Sequence, residues 1–111
     1  MAWTLSSSYG RPLGGRKSFF ASFSNRGDKV ALTAPGVAIV STIFANRWGV
    51  MSGTSMATPV ATGVLARRLA DSPVLAMPRN AARSEAIVAL AKQHAQDIDL
   101  PASMQGDGLA R

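Results

Sequence analysis

Ser55 stands in the run Gly53-Thr54-Ser55-Met56-Ala57-Thr58-Pro59, the place where the residue types of this chain could do covalent chemistry. A serine hydroxyl is a poor nucleophile. It has to be exposed, a neighbouring base has to take its proton, and the oxyanion that forms has to be stabilised. Gly53 leaves room for a second chain alongside, and a serine in the first turn of a helix has backbone N–H groups turned toward nearby negative charge. A base is harder to find. His94 is the single histidine; it comes after Ser55 on what reads as a surface helix and is expected to face solvent or bond locally. The six acids fall in a turn (Asp28), at a helix end (Asp71), at a helix start (Glu85) or near the C-terminus (Asp97, Asp99, Asp107), and none is assigned a catalytic role. With no cysteine, disulfides, thiol chemistry and Cys-based zinc sites are excluded.

The elements that must position Ser55 can be read from patterning. Residues 1–18 lack apolar periodicity and read as a loop. Phe19 to Ser24 read as extended, with Phe19, Phe20 and Phe23 expected in a core, and Asn25-Arg26-Gly27-Asp28 read as a turn. Val30 to Ala34 look like a buried strand closed by Pro35-Gly36; Val37 to Ile43 and Trp48 to Met51 look like two further strands around Asn46-Arg47. From Ser55 onward Met56, Val60, Val64 and Leu65 keep helical spacing while Ala57, Ala61 and Gly63 stay small, which predicts a helix largely buried as far as Leu65 and ending near Asp71-Ser72-Pro73. Arg67 and Arg68 suit its C-terminal dipole. Ser84 is the expected N-cap of an amphipathic helix through about Ala95, and residues 99–111 read as loop or frayed terminus.

The stretch Ser52-Gly53-Thr54-Ser55-Met56-Ala57-Thr58-Pro59 resembles the serine motif of subtilisin-like proteases, the peptidase S8 family. Upstream, Ala21-Ser22-Phe23-Ser24-Asn25-Arg26-Gly27, Ala34-Pro35-Gly36 and Ile39-Val40-Ser41-Thr42 keep the family's order, so that residues 19–70 are well covered. A short Gly-Thr-Ser alone reads as a turn and helix cap; eight consecutive matching residues reverse that reading. The resemblance implies an α/β fold, a three-layer α/β/α sandwich with a mostly parallel sheet. Only its C-terminal strands and helices would lie in residues 1–111, as a single partial domain: a loop (1–18), strands plus nucleophile helix (19–70), and a C-terminal helix and tail (71–111).

The resemblance implies that Ser55 attacks the scissile carbonyl and that its N–H serves the oxyanion hole. Gly53 and Thr54 would border the substrate, Phe23 would line the leaving-group side, and Met56 would pack behind the site, where oxidation would harm activity. The family's catalytic Asp, His and oxyanion-hole Asn precede the serine by long stretches, and 54 residues precede Ser55 here. The implied function is therefore a serine endopeptidase segment, inactive alone, that acts on polypeptides once the missing N-terminal part of the catalytic domain is its partner. The alternative is a non-catalytic remnant or interaction module. No cofactor is implied; calcium is common in the family, and no metal site is placed here. Many members carry His after the motif's proline; Val60 takes that packing position here.

Composition sets the remaining bounds. Apolar residues at 47% against 16% charged belong to a globular interior. Twelve Lys and Arg against six acids give a net charge of +6, but they are scattered without an aromatic platform, which argues against a nucleic-acid partner. No apolar stretch is long enough to span a bilayer, so no membrane partner is expected. The N-terminal residues lack the pattern of a signal peptide, so an export signal, frequent in the family, would lie on other sequence.

Overall fold

The computed structural model describes residues 19–111. The expected loop over residues 1–18 lies outside the described residues. In order, the chain forms strand β1 (Ile39–Ile43), strand β2 (Arg47–Met51), helix α1 (Thr54–Ala70), a short 3-10 helix (Pro73–Ala76), helix α2 (Ala81–Gln93) and the single-turn helix α3 (Ala102–Gln105).

β1 and β2 form an antiparallel hairpin with Ile39 opposite Met51, Val40 opposite Val50 and Ile43 opposite Arg47. Its three-residue loop needs left-handed backbone, and Ala45 and Asn46 take φ of 59° and 52°. Side chains alternate across a strand, so Val40, Thr42, Trp48 and Val50 share one face. That face is open: Val40 is 63%, Val50 61% and Trp48 73% exposed.

The segment expected as a strand over Val30 to Ala34 is extended but carries only an isolated parallel bridge, from Thr33 to Leu109. Strand character depends on neighbours to complete the ladder, and among the described residues one tail is all that reaches it. Phe19 to Ser24 end in a turn closed by Ser24 N–H on the Ala21 carbonyl at 3.0 Å, not in a strand. Phe20 is buried at 4% exposure, whereas Phe23 is exposed, so one of the three expected core phenylalanines is in the interior and Phe23 is not. The next turn begins at Gly27, φ 141°, with Val30 N–H returning to its carbonyl.

Helix α1 starts at Thr54 and is capped at Asp71. Contrary to the expectation of burial, none of its residues is buried; among the described helices and strands, α2 and the 3-10 helix are its main neighbours. α2 begins earlier than expected: Asn80 is the N-cap, its Oδ1 accepting the Arg83 N–H at 3.1 Å, while Ser84 Oγ sits inside the helix and bonds back to the Asn80 carbonyl.

The C-terminal residues, expected as a frayed end, instead stitch the fold. Leu109 and Gln96 exchange backbone bonds at 2.8 and 2.9 Å, Thr33 N–H donates to Gly108 at 2.9 Å, and Asp107 N–H donates to Ala31 at 2.9 Å. Gln105, buried at 6% exposure, sits at the centre. Its Oε1 accepts the Ile98 N–H at 2.9 Å and its Nε2 donates to Asp97 Oδ1 at 2.8 Å. The Gln105 amide, with the Asp99 N–H, holds the Asp97 carboxyl below its ordinary value of 3.8. A carboxyl lowered in the folded state stabilises the fold above the unfolded value and loses that contribution as pH falls through the folded one. The expected result is an Asp97 titration, measured by NMR, with a midpoint below 3.8 that rises toward 3.8 in Gln105→Ala.

Candidate active site

The end of β2 delivers Ser52 and Gly53 to the head of α1, where Thr54 and Ser55 occupy the first two helical positions. The Gly53 carbonyl accepts the N–H groups of Met56 and Ala57 at 3.1 and 3.3 Å. No side chain caps the helix. The N–H groups of Thr54 and Ser55 therefore point out of an uncapped helix start, where the dipole favours negative charge. Ser55 itself is exposed.

Pro59 stands four residues after Ser55 inside α1. It has no N–H to give the Ser55 carbonyl, so that carbonyl lacks the usual partner four residues on. Thr58 Oγ1 and Thr62 Oγ1 bond back to the carbonyls of Thr54 and Thr58 at 3.1 and 2.9 Å, adding side-chain bonds to the same stretch. Met56 packs behind Gly53: a Cβ on Gly53 would lie 3.5 Å from the Met56 sulfur.

Gly36 supports the serine loop from below. Its carbonyl accepts the Gly53 N–H at 2.8 Å. A Cβ on Gly36 would lie 2.8 Å from the Gly53 oxygen and 3.1 Å from Ala57 Cβ, so only glycine permits this approach. Gly36→Ala is expected to push the loop off the Pro35-Gly36 corner and destabilise by about 1–2 kcal/mol, the cost of modest overpacking, read as a lower thermal midpoint. The Ala-Pro-Gly segment is visible in the sequence, but its role as the floor of the serine loop is not. The signal is the glycine, whose reason is a backbone contact far along the chain.

Gly53, Thr54 and Ser55 thus come together at one helix head. Phe23 stands apart in the turn at 21–24, half exposed. His94 caps α2, and its Nδ1 lies 3.2 Å from the Leu90 carbonyl; the carbonyl only accepts, so Nδ1 carries the proton. The histidine is locally bonded, as expected. It also lines a cleft of about 720 Å³ along the flank of α1, together with Val30, Leu32, Thr54, Ala57, Thr58 and Ala61; Ser55 is not among the lining residues. No hydrogen bond joins Ser55 Oγ to a histidine or carboxylate among the described residues. Nor do three or more His, Asp or Glu side chains gather there in a metal-binding group, and no described helix is long and apolar enough to cross a membrane.

Comparison with known proteins bears on this arrangement. A model described as the subtilase family matches residues 16–108. The chain is 61% identical over 46 residues to a thermophilic serine proteinase of Bacillus sp. strain AK1, covering 41% of this chain and 12% of that protein. It is 52% identical over 46 residues to a thermostable alkaline protease of Halalkalibacterium halodurans, 41% of this chain and 13% of that protein. To subtilisin E of Bacillus subtilis strain 168 it is 45% identical over 53 residues, 48% of this chain and 14% of that protein. The matched segment thus spans less than a fifth of the length of each of these relatives.

Proposed function

The chain belongs to the subtilase family, and from that premise we propose that it carries the nucleophilic part of a serine endopeptidase site, with Ser55 as the nucleophile. The supporting observation is the exposed Ser55 at an uncapped helix head, next to a Gly53 held by the Gly36 carbonyl.

In this reading a polypeptide substrate lies along Gly53 and Thr54. Ser55 Oγ attacks the scissile carbonyl carbon while a base takes the hydroxyl proton; the carbonyl oxygen becomes an oxyanion facing the Ser55 N–H. Collapse of that tetrahedral species breaks the C–N bond, the base returns the proton to the leaving amine, and an acyl ester remains on Ser55. Water, deprotonated by the same base, then releases the acid and restores the hydroxyl. Phe23 belongs to the leaving-group side of the cleft only as the family pattern suggests. His94 Nδ1 is bonded to the Leu90 carbonyl, and no hydrogen bond joins the ring to the hydroxyl it would have to serve. The base, the aspartate that orients it and the second oxyanion donor come from outside residues 1–111.

The same reading assigns the chain to a three-layer α/β/α sandwich whose mostly parallel sheet is supplied largely by the upstream part of the catalytic domain. Supporting this are the unburied α1, the extended segment at 30–34, whose ladder partner among the described residues is the C-terminal tail alone, and the open apolar hairpin face. Apolar patches of this kind on a small chain call for a cover.

The test mixes the chain with the upstream catalytic-domain segment of one of the matched relatives and monitors cleavage of an internally quenched peptide. Cleavage in the mixture alone is the expected result. Cleavage by the chain by itself would place the base within residues 1–111. Silence in a mixture that forms a stable, folded complex would favour a non-catalytic remnant.

A further inference from the structure

The ladder of the hairpin does not stop cleanly where the nucleophile loop begins. Ile39 is paired with Met51, so continued register would place Ala38 opposite Ser52. At that rung the bond is made by a side chain: the Ala38 N–H donates to Ser52 Oγ at 2.9 Å. One step further the Gly53 N–H donates to the Gly36 carbonyl at 2.8 Å. Between the two fixed pairs the chain advances by three residues on one side, from Gly36 to Ile39, and by two on the other, from Met51 to Gly53. The extra residue is absorbed at Val37-Ala38, where Ala38 takes φ 56°. This is a bulge, which bends a strand and re-aims the residues beyond it.

Left-handed backbone is unfavourable for alanine and persists where its surroundings over-determine it. The Ser52 hydroxyl is the side-chain group that receives the amide of this residue, and it does so one residue before Gly53. We propose that Ser52 is a positioning residue for Ser55: its hydroxyl latches the bulge at Val37-Ala38 and so sets the direction in which Gly53-Thr54-Ser55 leaves β2. The inference rests on Ser55 being the nucleophile. Ser52 touches neither the reacting hydroxyl nor the substrate; it acts through the backbone of Ala38 and Gly53.

The experiment compares wild type, Ser52→Ala, Ser52→Thr and Ala38→Gly, each as the full chain alone and with the upstream segment. Two readouts are taken: amide exchange at Ala38 in the chain alone, and kcat and KM in the mixture. Loss of one neutral hydrogen bond in Ser52→Ala is expected to speed Ala38 exchange about fivefold and to lower kcat about as much, with KM unchanged. Ser52→Thr keeps the hydroxyl and restores both. Ala38→Gly relieves the left-handed backbone, so adding Ser52→Ala to it lowers kcat less than in the alanine background. Wild-type kcat in Ser52→Ala, or failure of Ser52→Thr to restore it, would overturn the positioning role. Unchanged Ala38 exchange in Ser52→Ala would overturn the latch even if a wild-type mixture that forms a stable, folded complex cleaves nothing, an outcome that would instead sink the nucleophile assignment.

Discussion

Ser55→Ala, in a mixture that cleaves peptide, is expected to lower kcat by about 10⁶-fold, the size known for loss of the nucleophile from a subtilisin-type triad. KM should hardly move. The variant loses one exposed hydroxyl at a helix position where alanine is the better helix former. Its thermal midpoint should therefore match wild type within error. That separation matters, because Gly36→Ala and similar changes reduce turnover by moving the loop and lower stability at the same time. If Ser55→Ala kept more than a hundredth of the wild-type rate, another group would be the nucleophile and the reading of the helix head would be wrong.

The largest stability effect is expected at Gly106. This residue comes directly after α3 with φ 63° and ψ −129°, a region that residues with a Cβ rarely enter. A Cβ there would also fall on the Ala31 carbonyl group and the Val30 oxygen. Both obstacles are backbone, so no side-chain rotation relieves them. Gly106→Ala is expected to cost about 3 kcal/mol or more, combining strained backbone with a steric clash. The bonds next to it, Asp107 N–H to Ala31 and Thr33 N–H to Gly108, would open first. Amide exchange at Asp107, Thr33 and Leu109 reports this directly: loss of protection at all three, with the hairpin amides unchanged, is the expected pattern. Unaltered protection would show that the tail does not stitch the fold.

How far the sequence can be read depends on how local each determinant is. The serine motif, the hairpin around Asn46-Arg47 and the end of α1 at Asp71 rest on neighbouring residue types, and the structure has them within a residue or two. α2 is legible as a helix but its start is not: Asn80 is as good a cap as Ser84, and Pro78-Arg79 ahead of it marks the boundary. The C-terminal stitch is not legible, because its bonds join Leu109 to Gln96 and Asp107 to Ala31, partners that no periodicity connects. The strand character of 30–34 and the apolar spacing of α1 are visible, yet none of the α1 residues is buried, and in the proposed reading the cover comes from the upstream part of the catalytic domain. Within the site, Ser55, Gly53 and Thr54 are legible from the motif. What Gly36 and Ser52 contribute is not, because their partners, Gly53 and Ala38, lie 17 and 14 residues away along the chain and no local pattern links them.

Labelling with a fluorophosphonate that reacts only with activated serines, mapped by peptide mass spectrometry, tests the assignment of Ser55 most directly. The chain alone is expected to stay unlabelled at Ser55, since no base reaches its hydroxyl. Addition of the upstream catalytic-domain segment should bring labelling at Ser55 and at no other serine. Labelling of the chain by itself, or labelling in the mixture at a different serine, would contradict the assignment of a nucleophile that is completed from outside this chain.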